Sequence, residues 1–188
     1  MSQNYLVDIV DVVRNLQGRG YDANSTPNLE ENLKIYRSAA HKRICNYVGY
    51  EILSTAYTDE LYFGNGTHYL DLINRPITAI TTVKADDVEQ TLSLFEIYHS
   101  RALYYKDGFF HRYNDWKISY TAGYTRTTMP GDIRLVSLEL IALYASESGP
   151  KGSIGLSSFS QPEGSGSTFD PESEDRILSK LDSYRSMH

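Results

Sequence analysis

Residues 116–134, WKISYTAGYTRTTMPGDIR, hold the end of one kind of structure and the beginning of another. Trp116, Ile118 and Tyr120 alternate with Lys117, Ser119 and Thr121, the period-two pattern of a half-buried strand. Met129-Pro130-Gly131-Asp132 then opens a helix, with Asp132 near its positive end. Beyond it Ile133, Val136, Leu140, Ile141 and Tyr144 line one face. Leu135, Leu138 and Leu143 make much of the remaining surface apolar as well. A helix apolar nearly all round is expected at the centre of a bundle, packed on several sides, and Gly149-Pro150 ends it. Strand gives way to helix within a few residues, so the chain belongs to the α+β class.

Upstream, the strand pattern extends back to about Thr58. Gly64-Asn65-Gly66 lies between Leu61-Tyr62-Phe63 and Tyr69-Leu70-Asp71-Leu72, which reads as a β-hairpin because Asn-Gly tolerates positive φ at both turn positions. Residues 77–85 are β-branched and strand-like, and Asp86-Asp87 is a turn. Residues 92–99 and 102–106 read as further strands, and Asp107-Gly108 is a second hairpin signal before Phe109-Phe110. Together these form a small antiparallel barrel or sandwich.

Before this block the period is helical. Leu6, Ile9, Val10 and Val13 place a first helix at about residues 4–16, ended by Gly18 and Gly20. Thr26-Pro27-Asn28 starts a second, with a capping hydroxyl, then Pro where its missing N–H costs nothing. Glu30 and Glu31 follow in the first turn, where the helix dipole favours negative charge. Leu29, Leu33, Tyr36, Ala40, Ile44 and Tyr47 form its stripe, and it runs to about Val48. Lys34, Arg37, His41 and Lys42 are expected on its solvated surface, and Gly49 is its stop.

Past Pro150, residues 151–168 are rich in Ser and Gly, a composition with little to bury and much entropy to lose on ordering. Ile154, Leu156 and Phe159 are interspersed, with Phe169 just beyond, and a pure linker has no use for them. About 18 extended residues reach roughly 60 Å, enough to contact a neighbouring subunit. Asp170-Pro171-Glu172 starts a last helix with Ile177, Leu178, Leu181 and Tyr184 on its apolar face and Lys180 and Arg185 toward its negative end. The expected organisation is a bundle of about four helices with the β barrel or sandwich inserted between the second and third. The helical core takes residues 1–57 and 125–188, the arm included, and the β subdomain takes 58–124.

Among 188 residues, Lys plus Arg is 18 and Asp plus Glu is 24, a formal charge of -6. Phosphate neutralisation needs clustered cations, so this balance argues against a protein that grips nucleic acid. A single cysteine, Cys45, excludes an intramolecular disulfide and a multi-cysteine zinc site. No apolar run approaches the roughly 20 residues that span a bilayer, and residues 1–5 carry no secretory pattern. His41, His68, His99, His111 and His188 show no metal-binding spacing and read as surface or rim residues. The glycines form no phosphate loop and the serines no nucleophile elbow. Asp86-Asp87 is explained by a turn, and Asp170, Glu172, Glu174 and Asp175 by helix capping. Neither a catalytic residue nor a cofactor or metal ligand is assigned. The composition stands out in its 16 tyrosines against 6 phenylalanines and 1 tryptophan. Tyrosine is an amphipathic contact residue. Tyr36, Tyr47, Tyr144 and Tyr184 fall on helix core faces; Tyr62, Tyr69, Tyr98, Tyr104, Tyr105 and Tyr113 fall in the β block, some of them available for a surface contact.

Three motifs in order carry a resemblance: Thr121-Ala122-Gly123-Tyr124 closing a strand, Met129-Pro130-Gly131-Asp132 opening a helix, and Ser183-Tyr184-Arg185 closing the last one. With the helical pair before them and the Gly/Ser arm between, the chain resembles the phage head–tail connector, or adaptor, family from Asn28 to Arg185. Its β block is larger than in the minimal all-helical members. The resemblance implies a structural virion protein at the neck, not an enzyme and without a cofactor. It implies a ring of twelve copies that docks under the portal protein, extends the DNA channel and recruits a stopper or tail-completion protein, with genomic DNA passing through unbound and no membrane involved. Partner binding then falls to Ile154, Leu156, Phe159, Phe169, Ile177, Leu181, Tyr184 and Arg185. The rival reading is a monomeric ligand- or carbohydrate-binding module that uses the tyrosines of the β block.

Overall fold

A computed structural model describes residues 5–20, 29–148 and 171–185. The chain divides into two compact units, Met1–Gly49 with Met129–His188, and Tyr50–Thr128.

The first unit is helical: α1 (Ile9–Gly18), α2 (Leu29–Val48), α3 (Gly131–Ser148) and α4 (Pro171–Leu178), followed by a 3-10 segment, Ser179–Tyr184. α3 packs against α1, α2, α4 and that segment, and its Ile133, Val136, Leu140 and Ile141 are fully buried. Leu135, though, is 48 % exposed, so the apolar surface of α3 is not covered all round. Helix α1 starts later than its apolar spacing implies. Asp8 holds extended backbone and its carbonyl accepts the first helical N–H, from Val12 at 3.1 Å. Tyr5, Leu6 and Val7 precede the helix and are buried.

That segment explains a second departure. Arg37, expected in solvent, is buried. Its guanidinium donates to the Val7 carbonyl from Nε at 3.1 Å and Nη2 at 2.7 Å, and lies 4.1 Å from the centroid of the Tyr5 ring. The buried positions of α2 are Leu33, Arg37, Ala40, Ile44 and Val48, steps of three and four that place Arg37 squarely on the inward stripe. The expected cap at Asp170 lies outside the described residues.

The second unit holds seven strands: β1 (Thr55–Phe63), β2 (Tyr69–Asp71), β3 (Ile77–Ala85), β4 (Val88–Glu89), β5 (Phe95–Tyr98), β6 (Ala102–Tyr105) and β7 (Asp115–Ala122). They form two antiparallel sheets, β1-β7-β3-β4 and β2-β6-β5. No closed barrel forms, because each sheet ends in unpaired edge strands. Both sheets contribute to one core, in which Phe95, Phe110 and Trp116 meet edge to face or tilted beside Tyr105.

Neither expected hairpin exists. β1 pairs with β7 and β2 with β6, so Gly64-Asn65-Gly66 links two sheets. The chemistry that resembles a hairpin turn serves a close approach instead: a Cβ on Gly64 would sit 1.9 Å from the His111 carbonyl oxygen. The Gly66 N–H donates to the Phe110 carbonyl at 2.7 Å. Gly108 faces the Tyr105 ring, and the hairpin near it is β5–β6, turning at His99 and Ser100, both at positive φ. Asp86 and Asp87 do make the expected turn, between β3 and β4, both at positive φ. Gly123 has a clear role: at φ +102 it lets the Leu53 backbone approach to where a Cβ would clash at 2.6 Å.

Candidate partner-binding surface

The tyrosines of the β unit divide by strand parity. In β6, Leu103 and Tyr105 point into the core, and Ala102 and Tyr104 point out. Tyr104 sits opposite Tyr69 of β2 and Glu96 of β5; in the neighbouring row Ala102 sits opposite Asp71 and Tyr98. The outward positions of the three strands therefore carry three tyrosines, two carboxylates and one alanine.

These rings form a continuous ladder. Tyr69 lies 4.9 Å from Tyr104 and 4.9 Å from Tyr98, centroid to centroid. The Tyr69–Tyr98 contact crosses β6 at the row of Ala102, which is only 3 % exposed despite its outward register. A small side chain there lets the flanking rings close over it. His68 extends the ladder, 6.1 Å from Tyr104 and 4.2 Å from Phe109, and its Nδ1 lies 3.2 Å from the Tyr105 carbonyl. At the other end His99 lies 4.1 Å from Tyr98. Tyr69, Tyr98 and Phe109 are 41, 45 and 47 % exposed. Asp71 pairs with Arg101 at 3.2 Å and Glu96 with Lys106 at 2.8 Å. His68 and Phe109 were not legible as members: they lie outside the strands, and only the folded loops bring them alongside.

Tyr62 and Tyr120 face the other way and build a buried polar network. Both hydroxyls donate to Glu60 Oε2. The Tyr62 oxygen accepts the Ile73 N–H at 3.2 Å, and the Tyr120 oxygen accepts Asn74 Nδ2 at 3.1 Å. A bulge in β1 makes this reachable. Asp59 at positive φ shifts the register between Tyr57 and Glu60, so both face inward, and the Ser119 hydroxyl accepts the Asp59 N–H at 3.0 Å. Burial, ahead of the bond to Glu60, pushes the Tyr62 hydroxyl far above its ordinary value. The same cause in the same order pushes Tyr120 up to about 12. This network holds the sheet together and offers no surface.

In the helical unit, Leu181 is fully buried and Ile177 half-buried. Tyr184 is half-buried, its hydroxyl 3.5 Å from Asp132. Arg185 is exposed and lies over the Tyr47 ring, 5.1 Å from its centroid. Ile154, Leu156, Phe159 and Phe169 lie outside the described residues. Helix α4 is tied down by Glu174, a buried carboxylate that accepts from Arg43 Nε at 2.6 Å and from the Tyr144 hydroxyl at 3.1 Å. Beside α1 lies a groove of about 670 Å³ between Arg14, Arg19, Arg134 and the exposed Leu135. Among the described residues no helix is long and apolar enough to cross a membrane.

The family model described as head completion protein matches residues 17–185. No curated protein matches. Among solved structures, the chain is similar to one from the virion of a native gene transfer agent (GTA) particle, with 13% identity, a TM-score of 0.62, and coverage of 100% of this chain and 97% of that one. It is similar also to a chain of the neck of a native GTA particle, computed with C12 symmetry, at 14% identity, TM-score 0.58 and the same coverage. A third likeness, at 14% identity and TM-score 0.57, covers 97% of this chain and 91% of one from the neck of an empty GTA particle computed with C6 symmetry. At these identities the likeness is one of fold.

Proposed function

The chain belongs to the head completion protein family, and on that premise we propose that it is a structural protein of the virion neck and not an enzyme. The observation that carries the reading is the family match over nearly the whole chain, joined by full-length likeness in fold to chains of a particle neck. In this reading the protein assembles as a ring of twelve copies under the portal protein, extends the DNA channel, and presents a surface to a stopper or tail-completion protein.

The helical unit makes the ring, and the β unit, Tyr50–Thr128, is inserted in the chain between α2 and α3. A ring requires a heterologous contact that closes, one patch of a copy meeting a different patch of the next. Residues 151–168 supply part of that contact, with Ile154, Leu156 and Phe159 as anchors and Phe169 beside them. Ile177, Tyr184 and Arg185, which keep exposed surface at the end of the helical frame, complete the set, whereas Leu181 is fully buried and packs within the unit. The net charge of -6 supports a channel that lets DNA slide, since added cations would raise affinity for phosphate.

The test is electron microscopy of the full chain mixed with purified portal. Twelvefold rings stacked on the portal are the expected result. A protein that remains monomeric in the presence of portal overturns the adaptor role.

A further inference from the structure

We propose that the outward face of the β2-β6-β5 sheet binds an arginine-bearing segment of a partner protein. The proposal deepens the neck reading and rests on it in one respect, that the partner is another protein of the virion.

The face is built for contact. Tyr69, Tyr98 and Tyr104 pack ring against ring, so their orientations are fixed before a partner arrives and little side-chain entropy is lost on binding. Among the described residues, no group hydrogen-bonds their hydroxyls. The fold has no need of this ladder, because the core of the unit is complete on the other side of the sheet with Leu70, Leu103 and Phe95.

Charge selects the occupant. The outward strand positions hold Asp71 and Glu96 beside the rings and no cation. Among the described residues each carboxylate pairs with one cation just beyond a strand end, Asp71 with Arg101 and Glu96 with Lys106, and the carboxylate side chains are 69 and 60 % exposed. Such exposed pairs are worth little and exchange readily for a better partner. A guanidinium is that partner: it stacks flat on an aromatic face and forks onto a carboxylate at once, which an ammonium does less well. A glycan fits the face poorly. A sugar ring needs a broad flat platform, whereas Tyr69 is inclined at 31° to Tyr104 and 53° to Tyr98; the smaller planar guanidinium needs only the exposed part of one ring.

The experiment titrates the full chain with tetra-arginine, tetralysine and a hexamer of N-acetylglucosamine, following the tyrosine ring resonances by NMR. Tetra-arginine is expected to shift the signals of Tyr69, Tyr98 and Tyr104 and to bind about fivefold tighter than tetralysine. Tyr98→Ser removes the preference, Tyr104→Phe retains it, and Asp71→Asn with Glu96→Gln weakens both peptides. Equal binding of the two peptides, arginine-induced shifts elsewhere on the chain, or a response of these rings to the sugar alone overturns the proposal. Ring formation on the portal reads the neck function separately. Rings without the arginine preference refute this face and spare the neck reading; the preference without rings does the reverse.

Discussion

Tyr62 and Tyr120 share a single carboxylate oxygen, both donating to Glu60 Oε2 while their own oxygens stand 2.9 Å apart. Each phenol also accepts one N–H, from Ile73 and Asn74, so the network is satisfied throughout. Without its hub one phenol can donate to the other across that 2.9 Å, which leaves a single buried hydroxyl without an acceptor, at a cost of the order of 1–3 kcal/mol. Glu60→Ala is therefore expected to destabilise the β unit by about 2 kcal/mol. Trp116 is the chain's one tryptophan and sits in the core of that unit, so denaturation followed by its fluorescence checks the figure.

The same pair sets an alkaline limit. The folded Tyr120 has its pKa raised from 10.0 to about 12, chiefly by burial, and Tyr62 moves in the same direction. A raised folded value means that the native state holds its proton where the unfolded state has lost it. The contribution is intact below pH about 10 and declines as pH rises through 12. Tyr120 alone accounts for about 2–3 kcal/mol over that window, at 1.36 kcal/mol for each unit. Urea midpoints measured across this range are expected to fall, and to fall less steeply in Tyr120→Phe. A midpoint flat to pH 12 contradicts the assignment.

Gly64 shows why strand pairing was hard to read while the strands were not. The alternation of residues 116–121 and the β-branched run 77–85 gave β7 and β3 almost to the residue, because each pattern is local. The stripe of α2 was read in part: Leu33, Ala40 and Ile44 are buried as expected, but Arg37 and Val48 complete the buried row where Tyr36 and Tyr47 were expected. Gly64-Asn65-Gly66 carries hairpin chemistry, yet the glycine is required by the His111 backbone, 47 residues away, and no local pattern records that. The β5–β6 turn is the converse case: His99 and Ser100 adopt positive φ without the residues that advertise it. The aromatic face was half legible. Adjacent Tyr104 and Tyr105 must point to opposite sides of a strand, but which one joins the ladder depends on register with β2 and β5. Arg37 was misread because its charge outweighed its position in the count of threes and fours.

From the close approach at Gly64 follows a steric prediction. Gly64→Ala places a methyl 1.9 Å from a backbone oxygen, where no flexible side chain can yield. The loop at Phe110 and His111 must shift, and with it Phe110, which packs 4.8 Å from Trp116. A loss of about 2–3 kcal/mol is expected, together with a change in Trp116 emission in the folded state. Unaltered emission and stability contradict the geometry.

Arg37 offers a test confined to the helical unit. Arg37→Met keeps much of the aliphatic stem but leaves the buried Val7 carbonyl without its two donors. A cost of about 2 kcal/mol is expected, with faster hydrogen exchange at residues 5–7. Helical signal in circular dichroism should melt earlier while the Trp116 transition holds its midpoint. Parallel losses in both signals contradict a role restricted to the helices.

The arm, residues 151–168, is the part of the proposed neck function most directly open to deletion. Gly and Ser dominate it, so ordering it costs entropy that few side chains offset. In that proposal Ile154, Leu156 and Phe159 recover the cost by burial against another copy or the portal, at about 25 cal/mol per Å² of apolar surface. Length and anchoring make separable demands. Deleting 151–168 removes both, and the triple change Ile154→Ser, Leu156→Ser, Phe159→Ser removes only the anchors. If the arm staples neighbouring copies, both variants lose rings on the portal while their melting stays near that of the parent chain. If the arm serves only as a tether for α4, the deletion fails and the triple variant forms rings at parental occupancy, which removes the anchoring role and leaves length as its contribution.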